Sequence, residues 1–323
     1  MKRIKRVLGL ALATVMCMSL FSGCSGRSGS NDTADSTSGT ETSEKVLNIA
    51  TIGETTTLSP LYMIADNRPT QKLLYEGLVK YVDGEIQPVL AEDWELSEDG
   101  TQLTFYLRQG VTFHDGEPFN AEAAIANIES WHINPSFASL PGVVNYTNIE
   151  AVDEYTIRLT YDTPYFAYIN DFCWPDVCTM ISPKLITQGD FQTVNGYAGT
   201  GPYIYDEYVA GQYTTFVRNE NYWGEQPYYD KIVAKYIPDN ASRVQALQTG
   251  EIDLIYGSAE LSYEDYNQAI AIEGIEGEFA PSGSTVRNII LDFNGNLSDL
   301  SVRQALAYAI DKEAISEGLT YGY

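Results

Sequence analysis

Histidine is nearly absent from this chain: His114 and His132 are the only two in 323 residues. Neither sits in a paired motif, and zinc sites draw on several Cys/His-type ligands, so no resident metal is expected. Basic residues are scarce too, with 19 Lys and Arg against 44 Asp and Glu and a formal net charge of −25. Such a surface argues against nucleic acid as a partner; it favours solubility outside a cell and is compatible with cationic ligands. No G-x-S-x-G elbow, H-E-x-x-H pair or Walker loop occurs. The carboxylate pairs Asp93/Glu95 and Asp115/Glu117 flank Trp94 and Gly116 in strand-and-turn sequence, where solvated positions are expected. Glycosidase chemistry would require two carboxyls roughly 5–10 Å apart across a cleft. The chain is therefore not expected to be an enzyme, and no cofactor is expected. Nor does any apolar run reach the about 20 residues of a membrane-spanning helix.

What is present begins with the first 24 residues. Met1-Lys2-Arg3-Ile4-Lys5-Arg6 is basic, Val7 to Leu20 is apolar, and Phe21-Ser22-Gly23-Cys24 closes the run with small residues before a cysteine. That order is a secretory signal. Its end resembles the lipobox of exported lipoproteins, with Phe21 where that motif usually carries Leu. The resemblance implies cleavage after residue 23 and a lipid on Cys24 as membrane anchor. Residues 25–44 are almost wholly Ser, Gly, Thr, Asp, Asn and Glu. They have no large apolar side chain to repay ordering entropy, so 24–45 reads as a flexible tether. Processing leaves Cys173 and Cys178. Export permits a disulfide between them, but spacing alone leaves both a bridge and two buried thiols open.

The body from Val46 mixes strand and helix patterns without regular βα alternation. Val46–Thr51 opens it as a strand. Apolar spacing through Leu73, Leu74, Leu78 and Val79 predicts a helix over 69–80, and Asp83-Gly84 predicts a hairpin turn. Alternation through Leu103, Phe105 and Leu107 predicts a strand, and 81–116 reads as a small meander. Asn120 is placed to cap a helix over 121–130. Strands are expected at 155–161, 203–208, 213–218, 252–256 and 289–293. Asn240 is expected to cap a helix ending at Gly250, and Ser301 with Gln304 to form a capping box for another. The 24 tyrosines suit both half-buried strands and adaptable binding surfaces.

Four blocks carry a resemblance: LLYEGLVKYVDGEIQPVLAEDWELSEDGTQLTFYLRQGVTFHDGEPFNAEAA (73–124), GTGPYIYDEYVAGQYTTFVRNENYWGEQPYYDKI (199–232), RVQALQTGEIDLIYG (243–257) and VRQALAYAIDKEAI (302–315). In this order they are similar to the family 5 extracellular solute-binding proteins of ABC importers, the group of oligopeptide-, dipeptide- and nickel-binding proteins. The resemblance implies an α/β, periplasmic-binding-protein-like fold of two lobes joined at a hinge. The first lobe would take 46–80 and 193–285, with an extra domain inserted at 81–192. The second lobe would begin at 286–323, and most of it would lie beyond Tyr323.

The resemblance also implies a receptor function: a lipid-anchored, extracytoplasmic protein that binds short peptides. It would deliver them to importer permease subunits driven by a separate ATPase. The second reading is a receptor for nickel or a metal chelate, and a third, of another class, is a truncated non-transporting lipoprotein. Three ligand-contact candidates are implied. One is the Thr57–Arg68 loop, offering Met63, Asp66 and Arg68. Another is Trp174-Pro175-Asp176, and the third is the pair Arg287 and Asn288 at the entry to the second lobe. In the nickel-binding branch an arginine that holds a carboxylated chelator falls at the position of Asp176. The opposite charge here would repel an anionic chelator and attract an ammonium group. Residues 46–323 alone are expected to bind peptides weakly or not at all, because closure draws its free energy from both lobes.

Overall fold

A computed structural model describes residues 44–62, 68–174, 177–186, 196–257, 261–278 and 295–321. Two sheets and a hairpin organise it. The strand β1 (Val46–Thr51) lies inside a five-stranded sheet whose other members come from after residue 200: β8 (Tyr203–Val209), β9 (Tyr213–Arg218), β10 (Lys231–Tyr236) and β11 (Leu254–Ile255), in the order β11-β1-β10-β9-β8. β1 runs parallel to both neighbours, with Ile49 opposite Ala234 on one side and Leu254 on the other. As an inner strand, β1 buries both faces. Ile49 packs with Leu58, Leu74, Tyr75, Tyr203, Phe216 and Ile232, while Ala50 on the reverse face meets Ala246 and Ile252.

The intervening chain builds a second core. The hairpin β2 (Val79–Val82) and β3 (Glu85–Pro88) turns at Asp83 and Gly84, both at positive φ (52° and 88°), as a two-residue primed turn requires. The strands β4 (Ala91–Leu96), β5 (Gln102–Leu107), β6 (Tyr146–Asp153) and β7 (Thr156–Tyr161) form an antiparallel sheet in the order β4-β5-β7-β6. Leu103, Phe105 and Leu107 turn inward and Tyr106 turns outward, the alternation of a half-buried strand. Helix α2 (Ala121–His132) covers this sheet with Ala124, Ile128 and Trp131, and Trp131 stacks on Phe137 at 5.8 Å. The short helices α3 (Pro141–Val144) and α4 (Tyr168–Phe172) complete the layer, with Phe172 edge-on to Phe105 at 5.0 Å.

Several expectations hold and several need correction. The Asn120 cap is present, its Oδ1 accepting the Ala123 N–H at 3.0 Å. The helix expected over 69–80 is shorter: α1 spans Arg68–Leu74, and the chain then extends into β2. Gly77 sets the break. It bridges to Thr179, and a Cβ there would stand 2.8 Å from the Cys178 carbonyl oxygen. Helix α5 (Asn240–Gln248) is capped by Asp239 rather than Asn240, and α7 (Leu300–Ala309) by Asp299 rather than Ser301. In both, a carboxylate one or two residues upstream takes the amide, because it accepts the bond and also complements the helix dipole. Helices α6 (Tyr263–Ile270) and α8 (Lys312–Thr320) carry their own caps, Ser262 and Asp311. The strand expected at 289–293 lies outside the described residues.

Candidate functional site

The described start of the Thr57–Arg68 loop and the chain that follows the Trp174 segment are tied to α2, to the turn after it and to α1. Asn127, fully buried in α2, donates from Nδ2 to the Ile181 carbonyl and accepts the Ile181 N–H at Oδ1, each at 2.9 Å. That side chain supplies both ladder partners to a backbone leaving the Trp174 segment. Asn134, also buried, donates to the Leu61 carbonyl at 2.8 Å. Gln71 of α1 donates to the Ser59 carbonyl at 2.9 Å. Three amide side chains thus fix the frame from which both candidate loops leave. In low-dielectric surroundings, satisfied amides of this kind specify one geometry.

Of the residues expected to touch ligand, Trp174 is described. Its side chain is 46 % exposed, just past α4, with its amide on the Asp171 carbonyl. Arg68 opens α1. Met63, Asp66, Asp176, Arg287 and Asn288 lie outside the described residues, as does Cys24. Of the two states left open for Cys173 and Cys178, the structure has two buried free thiols. Each sulfur turns to a carbonyl of α4, Cys173 to Ile169 at 3.4 Å and Cys178 to Asp171 at 3.5 Å. Burial pushes the Cys173 thiol up to about 11 and Cys178 higher still. Thiolate is the reactive form, so neither should react in the folded protein at neutral pH. Alkylation without reductant is expected to label both only after denaturation; an unlabelled, bridged peptide would contradict this.

Just past the end of α1 lies a half-buried carboxylate that the sequence did not single out. Glu76 accepts hydrogen bonds from Tyr222 Oη (2.7 Å), Trp223 Nε1 (2.7 Å) and Thr200 Oγ1 (2.9 Å). Burial pushes its carboxyl up and the three donors pull it back. The Arg108 guanidinium covers the Trp223 ring at 4.4 Å. Tyr222 and Trp223 therefore spend their polar atoms on Glu76, which gives the 216–227 segment a supporting role. Loop 199–202 lies flat against the end of α1: Gly201 N–H donates to the Leu74 carbonyl at 2.9 Å. Cβ atoms at Gly199 and Gly201 would stand 2.0 Å from Leu74 O and 2.6 Å from Leu73 O. The glycines of G-T-G-P are there for close approach.

Both histidines are engaged. His132 packs against Tyr146 at 4.6 Å, and both ring nitrogens of His114 bond to backbone. Among the described residues no group of three or more His, Cys, Asp or Glu could hold a metal ion. The carboxylate pairs have local partners. Glu95 accepts from Tyr106 Oη, Asp115 accepts the Glu117 N–H, and Glu117 pairs with Lys184.

Known proteins with this architecture are the two-lobed periplasmic binding proteins. NikA from Brucella suis in complex with Fe(III)-EDTA matches with a TM-score of 0.73 and 31 % identity, over 86 % of this chain and 57 % of that one. Residues 85–323 match the family described as bacterial extracellular solute-binding proteins, family 5 Middle, and the chain belongs to that family. It is 34 % identical over 274 residues to the nickel-binding periplasmic protein of Escherichia coli K12, covering 82 % of this chain and 51 % of that protein. It is 32 % identical over 289 residues to the glutathione-binding protein GsiB of Pectobacterium atrosepticum, covering 85 % and 54 %. The chain spans about half the length of the curated relatives it matches.

Proposed function

We propose that this chain is the lipid-anchored, extracytoplasmic binding component of an ABC importer, and that its ligands are short peptides. Residues 46–80 and 193–285 form the first lobe, 81–192 the inserted domain, and 286–323 enter the second lobe. The permease and its ATPase are separate chains. One sequence observation carries the choice of ligand: Asp176 follows the exposed Trp174 on a candidate contact loop. An aromatic side chain and a carboxylate two positions apart in the sequence are the residue types that suit a peptide ammonium or a cationic side chain. The relative named as glutathione-binding supports a small peptide-like ligand.

A second reading, a metal chelate, is favoured by the relative named as nickel-binding. A bare ion fits less well than a chelate, since His114 has no lone pair to spare. The discriminating experiment is calorimetric titration with peptides against nickel–histidine chelates. Anchoring has its own test. Cys24→Ala is expected to release the protein into the medium or leave it unprocessed, as seen by fractionation. A processed mutant retained in the membrane would contradict the lipid anchor.

A further inference from the structure

His114 sits where the inserted chain meets the loop that leads into β8. Its backbone N–H donates to the Gly199 carbonyl at 2.8 Å. Its ring then grips the same loop twice. Gly199 N–H points at Nδ1 (3.2 Å), and Nε2 faces the Gly201 carbonyl (3.0 Å). A carbonyl only accepts and an amide N–H only donates, so these partners define one species. The ring is neutral, protonated on Nε2 and bare on Nδ1. An imidazolium would set an Nδ1–H against the Gly199 N–H, two donors facing each other.

We propose that His114 is an acid-released latch between the turn 113–117 and the loop 199–201. A proton taken from solvent at Nδ1 breaks the bond to Gly199 N–H and loosens the turn, which keeps its backbone bond to the Gly199 carbonyl and the Nε2 bond to Gly201. The loop itself stays seated, because three further contacts do not involve the ring. These are Gly201 N–H to Leu74, Thr200 Oγ1 to Glu76, and Asn219 Nδ2 to the Gly201 carbonyl. Release is therefore local, confined to the seam between the two cores. This inference does not depend on which ligand the receptor takes.

The charged surroundings set the pH window. Asp115, next on the same turn, favours the charged ring, as does the Gly201 carbonyl, but burial outweighs both and holds the imidazole below its ordinary value of 6.5. Glu117 on that turn is occupied by Lys184. A histidine with a lowered folded value contributes stability fully above 6.5, and loses it as pH falls through the folded value. Glu76, across the loop, has the opposite sign. Its raised carboxyl contributes fully below 4.5, and that contribution is lost as pH rises through its folded value. The two oppose each other in global melting, so the latch must be read locally.

Amide hydrogen exchange on the full chain between pH 7.5 and 5, corrected for intrinsic exchange, provides the test. The His114 and Gly199 amides are expected to exchange about tenfold faster at the acid end, while the Gly201 amide stays protected as an internal control. The NMR titration is simple because the chain has two histidines: the His114 ring should titrate below 6.5, with the Gly199 amide shift following it. His114→Asn keeps a non-titrating acceptor near Nδ1 and should abolish the pH dependence at Gly199. Equal acceleration of all three amides, an unchanged Gly199 amide, or a His114 ring titrating at or above 6.5 would each overturn the latch.

Discussion

Gly199→Ala is expected to destabilise the body by more than about 3 kcal/mol, beyond the usual cost of overpacking, and to leave little soluble folded protein. The new Cβ would stand 2.0 Å from the Leu74 carbonyl oxygen and 2.5 Å from the Tyr75 ring. Rotamer choice cannot relieve a Cβ clash with backbone. Loop 199–202 would have to lift, taking with it the Gly201–Leu74 bond, the Thr200–Glu76 bond and both His114 ring contacts. The comparison is Gly318→Ala in α8, where a Cβ meets nothing within 4 Å. That change should be neutral or stabilising by about 0.5–1 kcal/mol through helix propensity. Thermal unfolding of both variants checks the pair. A Gly199→Ala protein that melts within a degree or two of the parent would show that the loop does not press on α1.

Asn127→Ala is expected to cost on the order of 3 kcal/mol. It removes the partners of the Ile181 N–H and carbonyl together, and a buried polar group left unpaired costs about 1–3 kcal/mol. For a body of this size the melting temperature should fall by about 5–10 °C. The exposed Asn148→Ala on β6 should change it little. Ligand affinity should fall as well, since Asn127 and Asn134 together set where the two candidate loops leave the frame. A stable Asn127→Ala protein with unchanged peptide affinity would remove α2 from the account of the site.

The strands with clean alternation were legible because one face of each is buried: Leu103, Phe105 and Leu107 announce β5 by themselves. β6 did not announce itself, because Tyr146–Asp153 is polar and largely exposed. It is held by pairing to β7 rather than by its own pattern. The end of α1 is hidden in the sequence because Leu78 and Val79 continue a helical stripe. They do enter a core, but from a strand. The frame of the site was harder still. Asn127 sits among the alanines and isoleucines of α2, and a lone amide on an apolar face is the signal that could have exposed it. Glu76 and His114 stood inside recognisable blocks, yet their partners are 124 and 85 residues away. Only the fold brings them together.

The central claim, a receptor for short peptides, is tested most directly by isothermal titration of the exported protein as the cell makes it. The ligands are di- to pentapeptides with and without Lys or Arg, set against nickel–histidine chelates. Heat of binding with the peptides and preference for cationic ones are expected. Asp176→Asn should lose that preference by about tenfold, the scale of one charge-assisted contact. Tight binding of the chelate with no heat from any peptide would contradict it.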